Sequence, residues 1–475
     1  APLCHGIRQG VAAVRDSSVA LNRFGLGGRL HEAAPERPRQ WLLDQFDRFD
    51  PRPAAIAALP DNRTIVSMFA DARDARQEAR KEGQAEAGAA AGEAPELRPY
   101  RGLRDAYVQA AAARTNLALQ SQTPFIERLV HFWANHFAVS VDKLVAVGLA
   151  GPLEFEAIRP NVLGKFTNLL LAVEQHPAML LYLDQAQSIG PESVLGQIAA
   201  RRGNRRGLNE NLAREILELH TLGVRTGYAQ ADVTELARAL TGWSVGGLAR
   251  QPLLRGPGPG FWYAAAIHQP GTRHVLGKAY RQADLAQSEA ILRDLALHPA
   301  TARHIAGKLA RHFAGDDPPA ALVDRLAQAF LASGGDLPTV YRALIDAPEA
   351  WGGPEKFRTP WDWTLATLRA VGTESLPAQK AISALNQLGQ PIWRPGSPAG
   401  WDDTAPSWAG PNALYRRVEV AERIAARAGP VDARALAEQL FPGTLTDPTR
   451  RALAGAESPV QALALLLAAP EMMRR

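Results

Sequence analysis

The sequence predicts a mainly α fold, a multi-helix globular array with one small β-hairpin excursion. Apolar residues recur at helical spacing through most of the chain, as in Leu212, Ala213, Ile216, Leu217 and Leu219, or Phe125, Leu129, Phe132 and Trp133. Glycine and proline fall between these runs and punctuate them. Strand signals are confined to one Gly/Pro-rich stretch, where residues 261–267 and 274–276 flank a turn at Pro270-Gly271.

Composition sets the bounds. The chain has 475 residues, more than the roughly 250–300 that one core supports. Three regions are expected: a helical region over 17–243, the Gly/Pro-rich excursion over 244–282, and a second helical region over 283–475. With 46% apolar and 21% charged residues the chain is ordinary soluble globular material. The net charge of +5 comes from arginines spread among acidic residues, with no basic face or tail, which argues against nucleic-acid binding. The one cysteine, Cys4, excludes an internal disulfide framework and a cysteine metal cluster. No run reaches the ~18 apolar residues of a membrane span. The chain opens on Ala1 without an apolar core of signal-peptide length. It reads as cytoplasmic on that basis, and as periplasmic or exported if a signal has been removed.

In chain order, Ser17 to Arg29 is a short helix entry stopped by a glycine-rich turn, and residues 38–50 form an amphipathic helix with Trp41, Leu42, Leu43 and Phe46. The composition then shifts to Ala, Glu, Arg and Gly, and a mobile insertion is expected over 79–99. Helices follow over 102–120 and from Thr123-Pro124 through TPFIERLVHFWANHF. In that helix His136 falls in the centre of the apolar arc, while His131 shares the polar side with Glu127, Arg128 and Asn135. The two histidines are about 140° apart around the helix, which disfavours a shared metal of the i, i+4 kind. Short helices are expected over 152–183, with His176 as a surface or capping residue. Residues 190–207 are a basic loop, with Arg201, Arg202, Arg205 and Arg206 among glycines. Placed over a pocket, it would favour anionic or carboxylate-bearing ligands. Beyond residue 283 helices resume to the end, interrupted by the turn PIWRPGSPAGWDDTAPSW.

The densest polar stretch is GLNENLAREILELHTLGVRTGYAQADVTELARALTGW, from Gly207 to Trp243. It reads as two helices joined by a turn at Gly223. Glu210, Arg214 and Glu218 form a charged stripe at i, i+4, i+8. His220 departs from this order by projecting into the apolar arc. An imidazole buried without a partner costs about 1–3 kcal/mol, so His136 and His220 are each expected to have one. Either each is a neutral ring donating to a carbonyl or carboxylate, or the two helices pack face to face and share one site with Glu215 beside it.

Taken in order, LNRFGLG, HFWANHF, HPAMLLYLD, NENLAREILELHTLGV with GYAQADVTELARALTGW, HPATARHIAGKLARHF and GSPAGWDD resemble the bacterial family catalogued as domain of unknown function 1800. The resemblance runs from about Val19 onward. It implies a mostly helical fold. It also implies export and a partner, a sulfatase-like family of unknown function numbered 1501, but no established reaction. The hairpin of that family usually carries a His-Asp pair, whereas this sequence has His268-Gln269 and lacks the second carboxylate.

The nucleophile elbow G-x-S-x-G, the Walker A loop, H-E-x-x-H and E-x-x-H are all absent. What remains is a set of His, Glu, Asp and Asn on separate elements. One reading is an enzyme, metal-dependent and hydrolytic or oxidative, with His136, Glu215 and His220 as catalytic residues and as ligands of a divalent transition metal. Asn209, Glu210, Asn211, Arg214, Glu218, His268, Arg201 and Arg202 would then bind substrate. The other is a non-catalytic binding or assembly protein working with the sulfatase-like partner, in which the same cluster only secures the fold.

Overall fold

A computed structural model describes residues 14–81, 99–203, 207–249, 252–353 and 355–475. The expected insertion therefore falls almost wholly outside the described residues. Mainly helical architecture is confirmed, and no described helix is long and apolar enough to cross a membrane. The helices that position the site are α1 (Arg101–Gln120), α2 (Pro124–His136), α3 (Phe166–Glu174), α4 (Val194–Arg201), α5 (Asn211–Glu215), α6 (Gln230–Leu240), α7 (Pro299–Ala314), α8 (Pro360–Ala370), α9 (Ala378–Leu388) and α10 (Pro411–Ala425).

One apolar core draws on residues from Ala20 to Trp393 and a second on residues from Phe357 to Met473. Helix α8 serves both: Trp361, Leu365 and Leu368 face the first, and Trp363, Ala366 and Ala370 the second. Packed between the two, α8 is buried along its whole length, its polar Asp362, Thr364, Thr367 and Arg369 included.

Helix α2, which sequence periodicity had made two-faced, is buried on both faces except at Ala134 and Asn135. Glu127, Arg128 and His131 are as buried as Phe125 and Leu129. Their side is closed by ion pairs: Glu127 takes both oxygens to Arg159 Nη1 at 2.7 and 2.9 Å, and Arg128 Nη1 lies 3.1 Å from Asp362. A polar arc marks solvent only when nothing complementary packs on it, and here something does.

The helix expected over 209–222 is broken in character. It is α-helical over Asn211–Glu215 and widens into a π turn over Ile216–His220. Thr221 Oγ donates to Ile216 O at 2.6 Å and Gly223 N to Leu217 O at 3.2 Å. The carbonyls of Leu219 and His220 are left for partners outside the helix. The charged stripe forms as expected, with Arg214 3.5 Å from Glu210 and 3.4 Å from Glu218. Glu210 also accepts from Thr234 Oγ at 2.7 Å and Gln230 Nε2 at 2.8 Å, fastening α5 to α6.

The β excursion contains a hairpin, with a pairing that differs from expectation. Gly260–Tyr263 pairs antiparallel with Trp243–Gly246, and Arg273–Val275 pairs with Lys278–Tyr280. The tight turn is Leu276-Gly277, both at positive φ (51° and 75°), which suits a two-residue hairpin of right-handed twist. Pro270-Gly271 connects the two ribbons. Within the expected basic loop, Ser193 Oγ accepts from Gly196 N at 3.1 Å and starts helix α4.

Candidate active site

The central polar residues are placed as follows. His136, buried at the end of α2, donates from Nε2 to His220 O at 3.2 Å. His304 on α7 donates from Nε2 to Leu219 O at 3.0 Å. Two histidines from different helices thus satisfy the carbonyls that the π turn releases. His220 is fully buried, and its Nδ1 lies 2.7 Å from Glu174 Oε1 at the end of α3. The approach is not aligned as a hydrogen bond, and both groups have atoms without one; the contact is electrostatic. Glu174, not Glu215, is therefore the carboxylate against His220. The rings of His136 and His220 are 6.1 Å apart, as are those of His136 and His304. Because a carbonyl only accepts, His136 carries its proton on Nε2. Burial, then Lys308 nearby, holds it well below its ordinary pKa and neutral.

Glu215 is half-buried, and burial pushes its carboxyl up. Asn209 Oδ1 accepts from Asn211 N at 2.9 Å while its amide reaches Asp184 O at 3.2 Å. His268 Nδ1 lies 2.7 Å from Thr241 O. Its neighbour Gln269 donates to Glu192 Oε2 at 2.9 Å. Arg201 and Arg202 are exposed at the end of α4. Gly207, Asn209, Glu210 and Asn211 line one open cleft; Gly207 is the last residue of the expected loop, and Arg201 and Arg202 are not among the residues lining the cleft. Arg205 and Arg206 lie outside the described residues. Among the described residues no group of three or more His, Cys, Asp and Glu is arranged to hold a metal ion.

The stronger constellation lies on the other side of His136. A cavity of about 350 Å³ opens between α2, α7, the start of α8 and the 390–404 turn. Arg128, His131, Asn135 and His136 reach it from α2, Lys308, Arg311 and His312 from α7, Trp361 and Asp362 from α8, and Trp401, Asp402 and Asp403 from the turn. The turn is tied to α2 by one side chain. Asn135 Oδ1 accepts from Trp401 N at 2.7 Å and its Nδ2 donates to Trp401 O at 2.8 Å. Gly400 makes this approach feasible: it sits at φ +82°, and a Cβ there would overlap the Asn135 carbonyl oxygen.

That clamp delivers Asp403 to His312, with Nδ1 and Oδ2 2.9 Å apart. Burial pushes Asp403 up, but His312, Lys356 and Arg475 outweigh it and bring the carboxyl to about 2. Burial, with Arg475 close by, lowers His312 to about 4. At neutral pH His312 is thus an uncharged ring that donates Nδ1–H to a carboxylate, with Arg475 Nη2 3.5 Å from the Nε2 lone pair. His131 has the opposite tautomer: Nδ1 accepts from Trp361 Nε1 at 3.2 Å, leaving the proton on Nε2. Asp362 stays ionised despite burial because Arg128 and Arg475 hold it down.

One turn before His312 stands Lys308. It lines the cavity, keeps some exposed surface, and has no ion-pair partner among the described residues. Burial lowers its ammonium to about 8, against an opposing pull from Asp403. The sequence reading missed Lys308, His312, Asp362 and Asp403. The available signal was the polar stripe His131–Asn135 on α2 together with the GWDD turn, which nothing in the linear order joins.

The family model described as "Protein of unknown function (DUF1800)" matches residues 19–474. No curated protein and no solved structure matches the chain. The chain belongs to the DUF1800 family.

Proposed function

We propose that this DUF1800 protein is an enzyme acting at the cavity between α2, α7 and the 390–404 turn, with a small anionic substrate. The observation that carries this reading is the His312–Asp403 pair beside Lys308. An imidazole oriented by a carboxylate and neutral at working pH is a general base, and its Nε2, held only by a long 3.5 Å contact from Arg475 Nη2, can take a proton from a water or a substrate hydroxyl once that contact gives way. Lys308, Arg311 and Arg128 bring cationic charge to the same space, and an unpaired ammonium supports anchoring of a carboxylate or phosphate. Hydrolysis is the reaction class this supports best. On this reading the site lies in the cavity rather than on the 207–243 helix pair, which reaches the cavity wall through the hydrogen bond from His136 to His220 O.

The test uses p-nitrophenyl acetate and p-nitrophenyl phosphate as probes. Turnover is expected to rise through a pKa of about 4 and then level off toward neutrality. His312→Asn should abolish it and Lys308→Met should raise KM. Citrate or inorganic phosphate should stabilise the wild type against heat and fail to stabilise Lys308→Met. Absence of both turnover and anion-dependent stabilisation would remove the reading.

A metal-dependent version has one observation in its favour: Glu174, His220 and His136 Nδ1 present buried atoms without hydrogen-bond partners. Elemental analysis of the purified protein decides it, since a divalent transition metal at one per chain, lost in His220→Ala, is required. The assembly role with a sulfatase-like partner of the 1501 family rests on family resemblance alone, and co-purification from the native source tests it.

A further inference from the structure

Apart from the cavity, a groove of about 590 Å³ runs between α8, α9 and α10. Its floor is hydrocarbon: Leu368 and Val420 are buried, and Val371, Leu376 and Ile424 half-buried. Its rim carries Lys380, Arg423 and Arg427, all exposed, and no carboxylate lines it. Arg423 donates to Gln387 Oε1. Lys380 and Arg427 have no ion-pair partner among the described residues. In the floor Thr364 is 3% exposed, and its hydroxyl has no hydrogen-bond partner among the described residues. A buried hydroxyl normally has a partner.

The charged groups of this groove are all cationic, the buried Thr364 hydroxyl has a proton to donate, and the floor between them is apolar. A ligand matching both features has an acceptor-rich, negatively charged head on a hydrocarbon body. The size is in the range of small-molecule sites. We infer that the groove binds an amphipathic carboxylate, a fatty acid of medium chain length. Its head lies among Lys380, Arg427 and the Thr364 hydroxyl, and its chain covers Leu368, Val420 and Ile424. This site shares no lining residue with the cavity and does not depend on the reaction proposed there.

The experiment is displacement of dansyl-labelled undecanoate from the full chain by laurate, followed by fluorescence. Dodecanol and dodecyltrimethylammonium provide the same tail with a neutral and a cationic head. Laurate should displace the probe at micromolar concentration, and the other two at least about tenfold less well. The exposed double variant K380E/R427E should weaken laurate by about tenfold or more. Ala384→Trp, which fills the groove from a half-buried position, should remove binding while the circular dichroism stays unchanged. Thr364→Val, nearly isosteric, should weaken laurate and leave dodecanol unaffected. The inference is overturned if laurate does not bind at millimolar concentration, if dodecyltrimethylammonium binds equally, or if K380E/R427E and Ala384→Trp change nothing. Binding of a Glu-rich amphipathic helical peptide in place of laurate would also overturn it, and would assign the groove to a protein partner.

Discussion

Acid should unfold this protein through its buried neutral histidines, and the effect is large enough to measure one ring at a time. Burial lowers His176 to about 3 and, with cationic neighbours, His304 and His312 to about 4. The unfolded value is about 6.5. Below 6.5 the unfolded chain therefore binds protons that the folded chain refuses, so stability is complete above that pH and falls as the pH drops toward about 4. Integrated from pH 7 to pH 5, each ring removes about 2 kcal/mol or slightly less, and the three together about 5–6 kcal/mol. A typical domain has only about 5–15 kcal/mol in all. Glu156 and Glu215 act in the opposite sense, because burial raises them and they take up protons in the folded state as the pH approaches their range; the window is therefore kept above pH 5. His176 is the ring to remove, since it caps a helix by accepting from Ala178 N at 3.1 Å, and asparagine supplies the same acceptor. Urea unfolding of wild type and His176→Asn at half-unit steps should show the variant losing about 2 kcal/mol less between pH 7 and pH 5. Parallel curves for the two proteins would refute the reasoning.

Three further outcomes follow from the geometry. Gly400→Ala and Asn135→Ala should each free the 390–404 turn from α2, costing about 1–3 kcal/mol, with a red shift of Trp401 emission and loss of anion-dependent stabilisation; a variant that keeps both would show that the clamp does not position Asp403. Asp362→Ala strands Arg128 and Arg475 in the interior and should cost about 3–5 kcal/mol in chemical denaturation, whereas a cost under about 1 kcal/mol would mean the charges are solvated. His136→Ala and His220→Ala, whose rings are 6.1 Å apart and joined through the His220 carbonyl, should be non-additive by about 0.5–3 kcal/mol in a double-mutant cycle, and strict additivity would separate them.

Taken by itself, the sequence determined the helices and their ends, because those depend on neighbours a few residues apart. Pro124 after Thr123, Pro299 after His298 and Pro360 after Thr359 mark starts that the structure keeps. The same local logic found the Glu210–Arg214–Glu218 stripe, and it placed His136 and His220 among apolar residues where they are in fact buried. Strand pairing was less accessible, since the choice between Pro270-Gly271 and Leu276-Gly277 as the tight turn rested on which residues tolerate positive φ, and Leu276 does not announce it. What only the tertiary structure decided was the partner of each buried polar side chain that reaches beyond its own helix. Glu174 displaced Glu215 beside His220, and the apparently solvent-facing side of α2 became the wall of a cavity. His312 and Asp403, 91 residues apart, met because Asn135 holds the turn that carries Asp403. Apolar burial is periodic and non-directional, so it can be read along one helix. A hydrogen bond or ion pair is directional and needs a specific second atom, and in this chain that atom usually belongs to a segment far away in sequence.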